Sequence, residues 1–397
     1  MPHLRDVFAG PWRAVLVLGV TQILAWGAIF YPPVLTVPLI AAERGWSLTF
    51  AMSGFSFGLL IGGFVAPTVG TLIDRYGGHR VMPMGSLAGA LGLIALTQVT
   101  DPLAYLAVWG LLGAAMAASL YDPAFATLGR IFGAHARRPI TLLTFVGGFA
   151  STVSWPATYF LLAAYGWHGT YLIYAGALAL IAAPLHAFAL PRERDDPNKH
   201  ATGPLAPPPS VIPAKGFAFV LVAAAFAAYA FVPSALSAHM LAIFGRLGLE
   251  PATVIAIGVL FGPSQVAARL AEFMFARNVH PLRIARFAVA ILIAAFLLIA
   301  ALGVSAPMAA AFAILFGLAN GLITIARGSV PLVLFGAVGY GRVVGRIAGP
   351  SLAMQAAAPL IIAFVAERIS DPAALMVIAG IAALSLAAFL AVKRPRA

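Results

Sequence analysis

The stretch Gly70, Thr71, Leu72, Ile73, Asp74, Arg75, Tyr76, Gly77, Gly78, His79, Arg80 sits between apolar runs at about 49 to 72 and 81 to 100. Adjacent glycines at 77 and 78 permit a tight reversal, and roughly 20 apolar residues on each side is the length that spans a bilayer as helix. The stretch therefore reads as a short basic loop joining two membrane helices. Outward from it the same pattern repeats, with runs at about 14 to 40, 102 to 130, 140 to 164 and 167 to 190. Pro191 to Lys215, with Arg192, Glu193, Arg194, Asp195, Asp196 and three consecutive prolines from Pro207, then reads as a solvated linker. Six further runs follow, at about 216 to 245, 252 to 275, 284 to 304, 307 to 335, 346 to 366 and 371 to 392. The expected fold is an all-α membrane protein, with twelve transmembrane helices in two pseudo-symmetric six-helix bundles. The expected domains are residues 1–190, a linker 191–215 and residues 216–397.

Composition supports this. Hydrophobic residues make up 62% of the 397, charged residues 9%, and mean hydropathy is +0.99. That leaves too little polar surface to coat a water-soluble globule. Barrel strands of about 10 residues are far shorter than these runs, so helices are the spanning element. The first run, from Ala14 to about Ile40, exceeds a signal-peptide core and reads as a retained helix.

The formal charge of +12 lies in short loops without aromatic platforms, which argues for membrane topology rather than nucleic acid. With the N-terminus inside, the loops and ends on that side hold nineteen basic residues: Arg5, Arg13, Arg75, Arg80, Arg130, Arg137, Arg138, Arg192, Arg194, Lys199, Lys215, Arg277, Arg283, Arg286, Arg342, Arg346, Lys393, Arg394 and Arg396. The other side holds Arg44, Arg246 and Arg368. This asymmetry predicts a multi-pass inner (plasma) membrane protein with both termini cytoplasmic. A shift of roughly 204 residues overlays the halves, placing Phe57 and Gly58 on Phe261 and Gly262, and Asp101–Pro102 near Ala306–Pro307.

The GxxxDRxGGxR pattern at 70 to 80 resembles the loop between the second and third helices of the major facilitator superfamily, and the two-half layout agrees over the whole chain. The resemblance implies a transporter in which Gly70, Asp74, Arg75, Gly77 and Arg80 form a conformational latch, with Asp74 pairing to a helix terminus or a basic group such as Arg130. The eighth run is similar to that of monocarboxylate and oxalate/formate transporters, which carry an acidic residue four before an arginine. Here Arg269 matches, while Gln265 stands where the acid would be and cannot carry a proton. A looser similarity surrounds Gly45–Trp46 and Gly166–Trp167.

Three charges fall inside apolar runs: Asp122, Arg269 and Arg327. Such groups cost a few kcal/mol each on insertion scales and persist when they face a cavity or a partner. Asp122 and Arg269 each lie eight residues before a basic helix end, at Arg130 and Arg277, so they share a layer about 12 Å deep. Under the internal shift Asp122 overlays Arg327. Polar stripes at helical spacing run through Asn320, Thr324 and Arg327, and through Gln265, Arg269 and Glu272. Gln22 and Trp26 share a face, followed by Tyr31. The expected substrate site is Arg327, Arg269, Gln265, Asn320, Trp26 and Tyr31, with guanidinium groups gripping a carboxylate. Asp122 would balance charge or carry the coupling proton. The structural alternative pairs Asp122 with an arginine and Arg269 with Glu272. His168 and His186 read as interface residues.

Cysteine is absent, and no HExxH, P-loop or dinucleotide fingerprint occurs. The expectation is thus a non-enzymatic, cofactor-free and metal-free secondary carrier, monomeric, in a lipid bilayer. Its partners would be a small organic anion, monocarboxylate-like, and a proton or counter-anion. A proton-coupled efflux permease for drugs is the competing reading. Gly147 through Pro156 departs from the GPxxGG-like motif of such pumps. A sensor that kept the fold and lost transport is the third.

Overall fold

A computed structural model describes residues 10–192, 214–276 and 278–393. Among the described residues, eleven segments are long and apolar enough to cross a membrane, and one of them, Arg137–Ala189, has 53 residues. A straight helix of that length would measure about 80 Å, far beyond a bilayer. It folds back at Gly166, whose φ of 63° glycine adopts without strain. The hydroxyls of Thr158 and Tyr174 lie 2.7 Å apart, whereas sixteen residues of straight helix would separate them by about 24 Å. The described residues therefore make twelve crossings: α1 Arg13–Arg44, α2 Leu48–Tyr76, α3 Gly78–Gln98, α4 Pro102–His135, α5 137–165, α6 167–189, α7 Phe217–Arg246, α8 Pro251–Phe275, α9 Pro281–Leu302, α10 Ala306–Phe335, α11 Tyr340–Arg368 and α12 Asp371–Ala391.

The helices form two six-helix bundles. One buried apolar cluster draws only on residues 219–392, and another on residues 25–182 plus Ala356. Small residues set the close approaches in both. A Cβ on Gly113 of α4 would strike the Gly58 carbonyl of α2, and one on Gly317 of α10 would meet the Phe261 carbonyl of α8 at 2.7 Å. Gly113 and Gly317 are related by the shift seen in the sequence, so the repeat is a repeat of packing. Lipid supplies little hydrophobic drive between helices, and close backbone contact takes its place.

Most of the linker, the N-terminal residues through Ala9, and Arg5, Arg194, Lys199, Arg277, Arg394 and Arg396 lie outside the described residues. Two expectations need correction. The run at 102 to 130 is two helices, Pro102–Ser119 and Tyr121–Phe132, broken at Leu120, where ψ is −154°. Pro123 has no N–H to give the Ser119 carbonyl four residues back. His186 is buried rather than interfacial: its ring nitrogens lie 3.1 Å from Ser86 Oγ and 2.8 Å from Thr21 Oγ1. Two hydroxyl partners allow an imidazole to sit inside the bundle without charge.

Candidate functional site

The end of the molecule that carries Arg75, Arg80, Arg130 and Arg137 is its basic end. There α2 and α11 lie backbone to backbone. A Cβ on Gly341 would meet the Gly70 carbonyl at 2.5 Å, and one on Gly63 would meet the Gly349 carbonyl at 2.9 Å. This approach brings the Asp74 carboxylate to the start of α11, where it accepts from the main-chain N–H groups of Gly341 at 2.8 Å and Arg342 at 2.7 Å. Unpaired amides at a helix start favour a negative charge. Arg130 donates to the main-chain oxygen of Asp74 rather than to its carboxylate. Arg75 stacks on Tyr76, 5.1 Å from the ring centre. Arg75 and Arg80 are exposed, and Gly77, at φ 81°, makes the reversal into α3.

Deeper in, Asp122 and Arg327 face each other across the halves. Arg327 donates from Nε to Oδ1 at 3.0 Å and from Nη2 to Oδ2 at 2.7 Å. Both prongs of the fork are engaged, so in this conformation Arg327 is neutralised by Asp122. The α4 break puts Asp122 in the first turn of the helix that starts at Tyr121, near its positive end. The carbonyl groups of Ser119 and Leu120 at the break accept from Gln22 Nε2 of α1 at 2.8 and 3.2 Å. Gln22 Oε1 in turn accepts from Trp26 Nε1 at 3.1 Å. One side chain thus pins the broken helix to α1 and fixes the Trp26 ring.

Arg269 is treated differently. It is 4% exposed, and its hydrogen-bond partners are neutral: the Thr144 carbonyl of α5 at 3.0 Å and Gln265 Oε1 at 3.4 Å. Its Nε has no partner among the described residues. The pairing with Glu272 that the structural alternative required is not made; that carboxylate takes Arg137 of α5 instead, at 3.1 Å. Local spacing favours the first pairing, but the close α5–α8 approach supplies a second cation. Arg269 lies over Gly148, where any Cβ would overlap its Nη1, and Tyr121 lies over Gly147, with its hydroxyl 2.6 Å from a Cβ there. The Gly147–Gly148 pair, where α5 loosens into a turn, makes room for both.

Of the expected site residues, Gln265 touches Arg269 and Asn320 touches Gln265, whereas Arg327 is held by Asp122. Gln265 Oε1 also accepts from Asn320 Nδ2 at 3.0 Å, and Asn320 Oδ1 accepts from the Tyr229 hydroxyl at 3.4 Å. A polar chain therefore runs from α7 through α10 and α8 to α5. The N-terminal half contributes aromatic rings. Trp26 packs on Phe30, Tyr31 and Tyr121 with centroids 4.6, 5.9 and 5.3 Å away, and Tyr31 reaches Trp155 at 6.5 Å. Tyr31 and Tyr121 both lie within electrostatic range of Arg269. A π-helical turn at Trp26–Phe30, just before Pro32 and Pro33, turns these rings inward. Sequence reasoning missed Tyr121, Thr144, the Gly147–Gly148 pair and Arg137; adjacent glycines inside an apolar run were the available signal.

A family model described as Major Facilitator Superfamily matches residues 15–345. Monocarboxylate transporter 11 of Mus musculus is 30% identical over 151 residues, covering 38% of this chain and 32% of the relative. The Homo sapiens protein of that name is 30% identical over 142 residues, covering 36% and 30%. The chain thus spans about a third of the length of the curated relatives it matches. In three dimensions it is similar to the crystal structure of the human organic anion transporter MFSD10 (TETRAN). The TM-score is 0.70 and identity 16%, over 96% of this chain and 99% of that one, a likeness of fold.

Proposed function

This chain belongs to the major facilitator superfamily, a family of membrane transporters of small molecules, and from that premise we propose that it is a secondary carrier of small organic anions, monocarboxylate-like, working by alternating access. The observation that carries the reading is Arg269, a buried guanidinium whose hydrogen-bond partners are neutral, whereas the second arginine inside an apolar run, Arg327, is fully paired. A charge taken out of water without a counter-charge is expensive, and an arriving carboxylate offers the missing partner in the planar geometry that a guanidinium matches. Asn320, Gln265 and Tyr229 then form the polar side of the site, and Trp26, Tyr31 and Tyr121 the apolar side. The names of the relatives, one a monocarboxylate and one an organic anion transporter, agree with this class.

Coupling is assigned to Asp122. Protonating its carboxylate frees the Arg327 fork, so proton uptake and the availability of a second cation are linked in one pair. Proton symport and anion exchange both use this arrangement. Both require the cytoplasmic and outer ends to alternate about the arginine layer, with Gly70, Asp74, Arg75, Gly77 and Arg80 as the latch at the basic end.

The test is binding and counterflow with the purified, reconstituted protein, using acetate, pyruvate and benzoate against cationic drugs. Carboxylates should raise its thermal stability, as any ligand of the folded state does. Arg269→Gln should weaken that binding about 30-fold or more, the loss expected when one partner of a buried charge pair is removed. Unchanged carboxylate binding by that variant, or a wild type stabilised only by cationic drugs, would overturn the anion reading in favour of efflux.

A further inference from the structure

Glu272 is 3% exposed, and a carboxylate so buried requires a cation. Its own helix offers Arg269 three residues earlier, at the spacing where helical side chains meet. Glu272 nevertheless takes its partner from the opposite half. Arg137 Nη2 of α5 donates to Glu272 Oε1 at 3.1 Å and to the Ala276 carbonyl at 3.2 Å. Two turns further along α5, the Thr144 carbonyl holds Arg269 Nη1 at 3.0 Å. Thus the two charged side chains of α8 that could neutralise each other are both held by α5, which keeps them apart.

We propose that Glu272 is the release residue of the carrier, a positioning group that exchanges partners when the basic end opens. This rests on the reading of Arg269 as the anion grip. As α5 and α8 part, Arg137 leaves Glu272 and Thr144 leaves Arg269 in one movement, because both contacts are made by one helix. The stranded carboxylate and guanidinium then pair along α8. Glu272 now competes with the bound anion for Arg269, so opening lowers anion affinity at the face where the anion leaves. With the basic end closed, Arg137 occupies Glu272 and Arg269 stays available. By reciprocity, a bound anion favours the conformation in which the Arg137–Glu272 pair is made.

An ion pair that merely holds the bundle together predicts that losing either partner has the same effect. Partner exchange predicts that losing Arg137 lowers anion affinity and that losing Glu272 does not, and this asymmetry is the test. Full-length Arg137→Gln, Glu272→Gln and the double variant are purified, and their affinity for benzoate is measured by thermal-shift titration. Arg137→Gln leaves Glu272 free to take Arg269 in every conformation, so benzoate affinity should fall about tenfold, equivalent to ~1.4 kcal/mol. Glu272→Gln removes the competitor, so affinity should stay equal to wild type or rise. The double variant should regain what Arg137→Gln lost, which also shows that the loss was not a folding defect. Counterflow should separate the two roles further, with Glu272→Gln exchanging label more slowly than wild type despite undiminished binding. Single variants that shift affinity in the same direction, or a double variant no better than Arg137→Gln, would overturn the exchange. Undiminished benzoate binding by Arg269→Gln would instead overturn the site on which the exchange rests.

Discussion

Gln265→Glu isolates the electrostatic logic of the site, because it changes charge with almost no change of shape. Gln265 Oε1 already accepts from Asn320 Nδ2 at 3.0 Å and from Arg269 Nη2 at 3.4 Å, and a carboxylate oxygen accepts equally well in both places. What changes is that Arg269 gains a counter-charge. At 3.4 Å and an effective dielectric constant of about 20, the gross attraction is about 5 kcal/mol. Desolvating the new carboxylate consumes part of this. If roughly 2 kcal/mol remains, an incoming anion must displace that much, and its affinity falls about thirtyfold. The sign of the pH dependence follows. Acidification protonates the introduced carboxylate, Arg269 is freed again, and anion affinity in the variant rises as pH falls. Isothermal titration with benzoate across a pH series reads both effects. Wild-type affinity in the variant, or a thirtyfold loss that acid does not reverse, would refute the claim that an uncompensated charge on Arg269 is what binds.

Two further substitutions probe the links between the halves. Asp74→Ala removes both hydrogen bonds to the start of α11 and should destabilise the closed basic end by at least about 2 kcal/mol, since hydrogen bonds to a charged group contribute a net of roughly 1.5–3 kcal/mol each and Asp74 is half-buried, which puts the pair toward the low end. The natural chain has no cysteine, so a single Ile140→Cys reporter, buried against Gly328 across the halves, should label several-fold faster in that background, and an unchanged labelling rate would contradict the latch. Asp122→Asn should leave carboxylate binding largely intact and abolish the dependence of uptake on pH, measured in proteoliposomes with an imposed pH gradient. A preserved pH dependence would reduce Asp122 to a structural partner of Arg327.

The architecture was legible because it depends on a quantity that every residue carries. Run length and charge asymmetry predict twelve crossings, and even the hairpin at Gly166 shows as a gap between runs at 164 and 167. A shared depth for Asp122 and Arg327 was legible too, since depth along a helix is residue count multiplied by rise. The partner of Glu272 was not. Sequence spacing on one helix puts Glu272 within reach of Arg269, whereas its actual partner, Arg137, is 135 positions away. Which cation wins depends on how closely α5 approaches α8, and so on the space left by Gly147 and Gly148. Similarly, the break in the fourth run was not read from the sequence, and Gln22, which caps the Ser119 carbonyl there, lies 97 positions before it.

The distribution of polar links explains why the halves can both adhere and part. Those that the described residues make between halves are Asp74 to Gly341 and Arg342, Asp122 to Arg327, Arg137 to Glu272 and Ala276, and Arg269 to Thr144. All lie between the arginine layer and the basic end. At the far end, the polar links join helices of one half: Arg44 to the Leu96 carbonyl, Trp167 to Glu43, and Arg246 to Asp371. Between these ends runs the α2–α11 seam, where Gly63, Ala66 and Gly70 meet Gly349, Gly345 and Gly341. A seam of small residues presents no interlocking side chains, and lipid exacts little hydrophobic penalty when it opens. The resistance to separation is therefore concentrated in a few charged contacts, each sensitive to a proton, an anion or a helix terminus. On the function proposed above, an anion bound at Arg269 and a proton on Asp122 would each act on one of those contacts, so that a substrate-sized event would bias a movement of whole bundles.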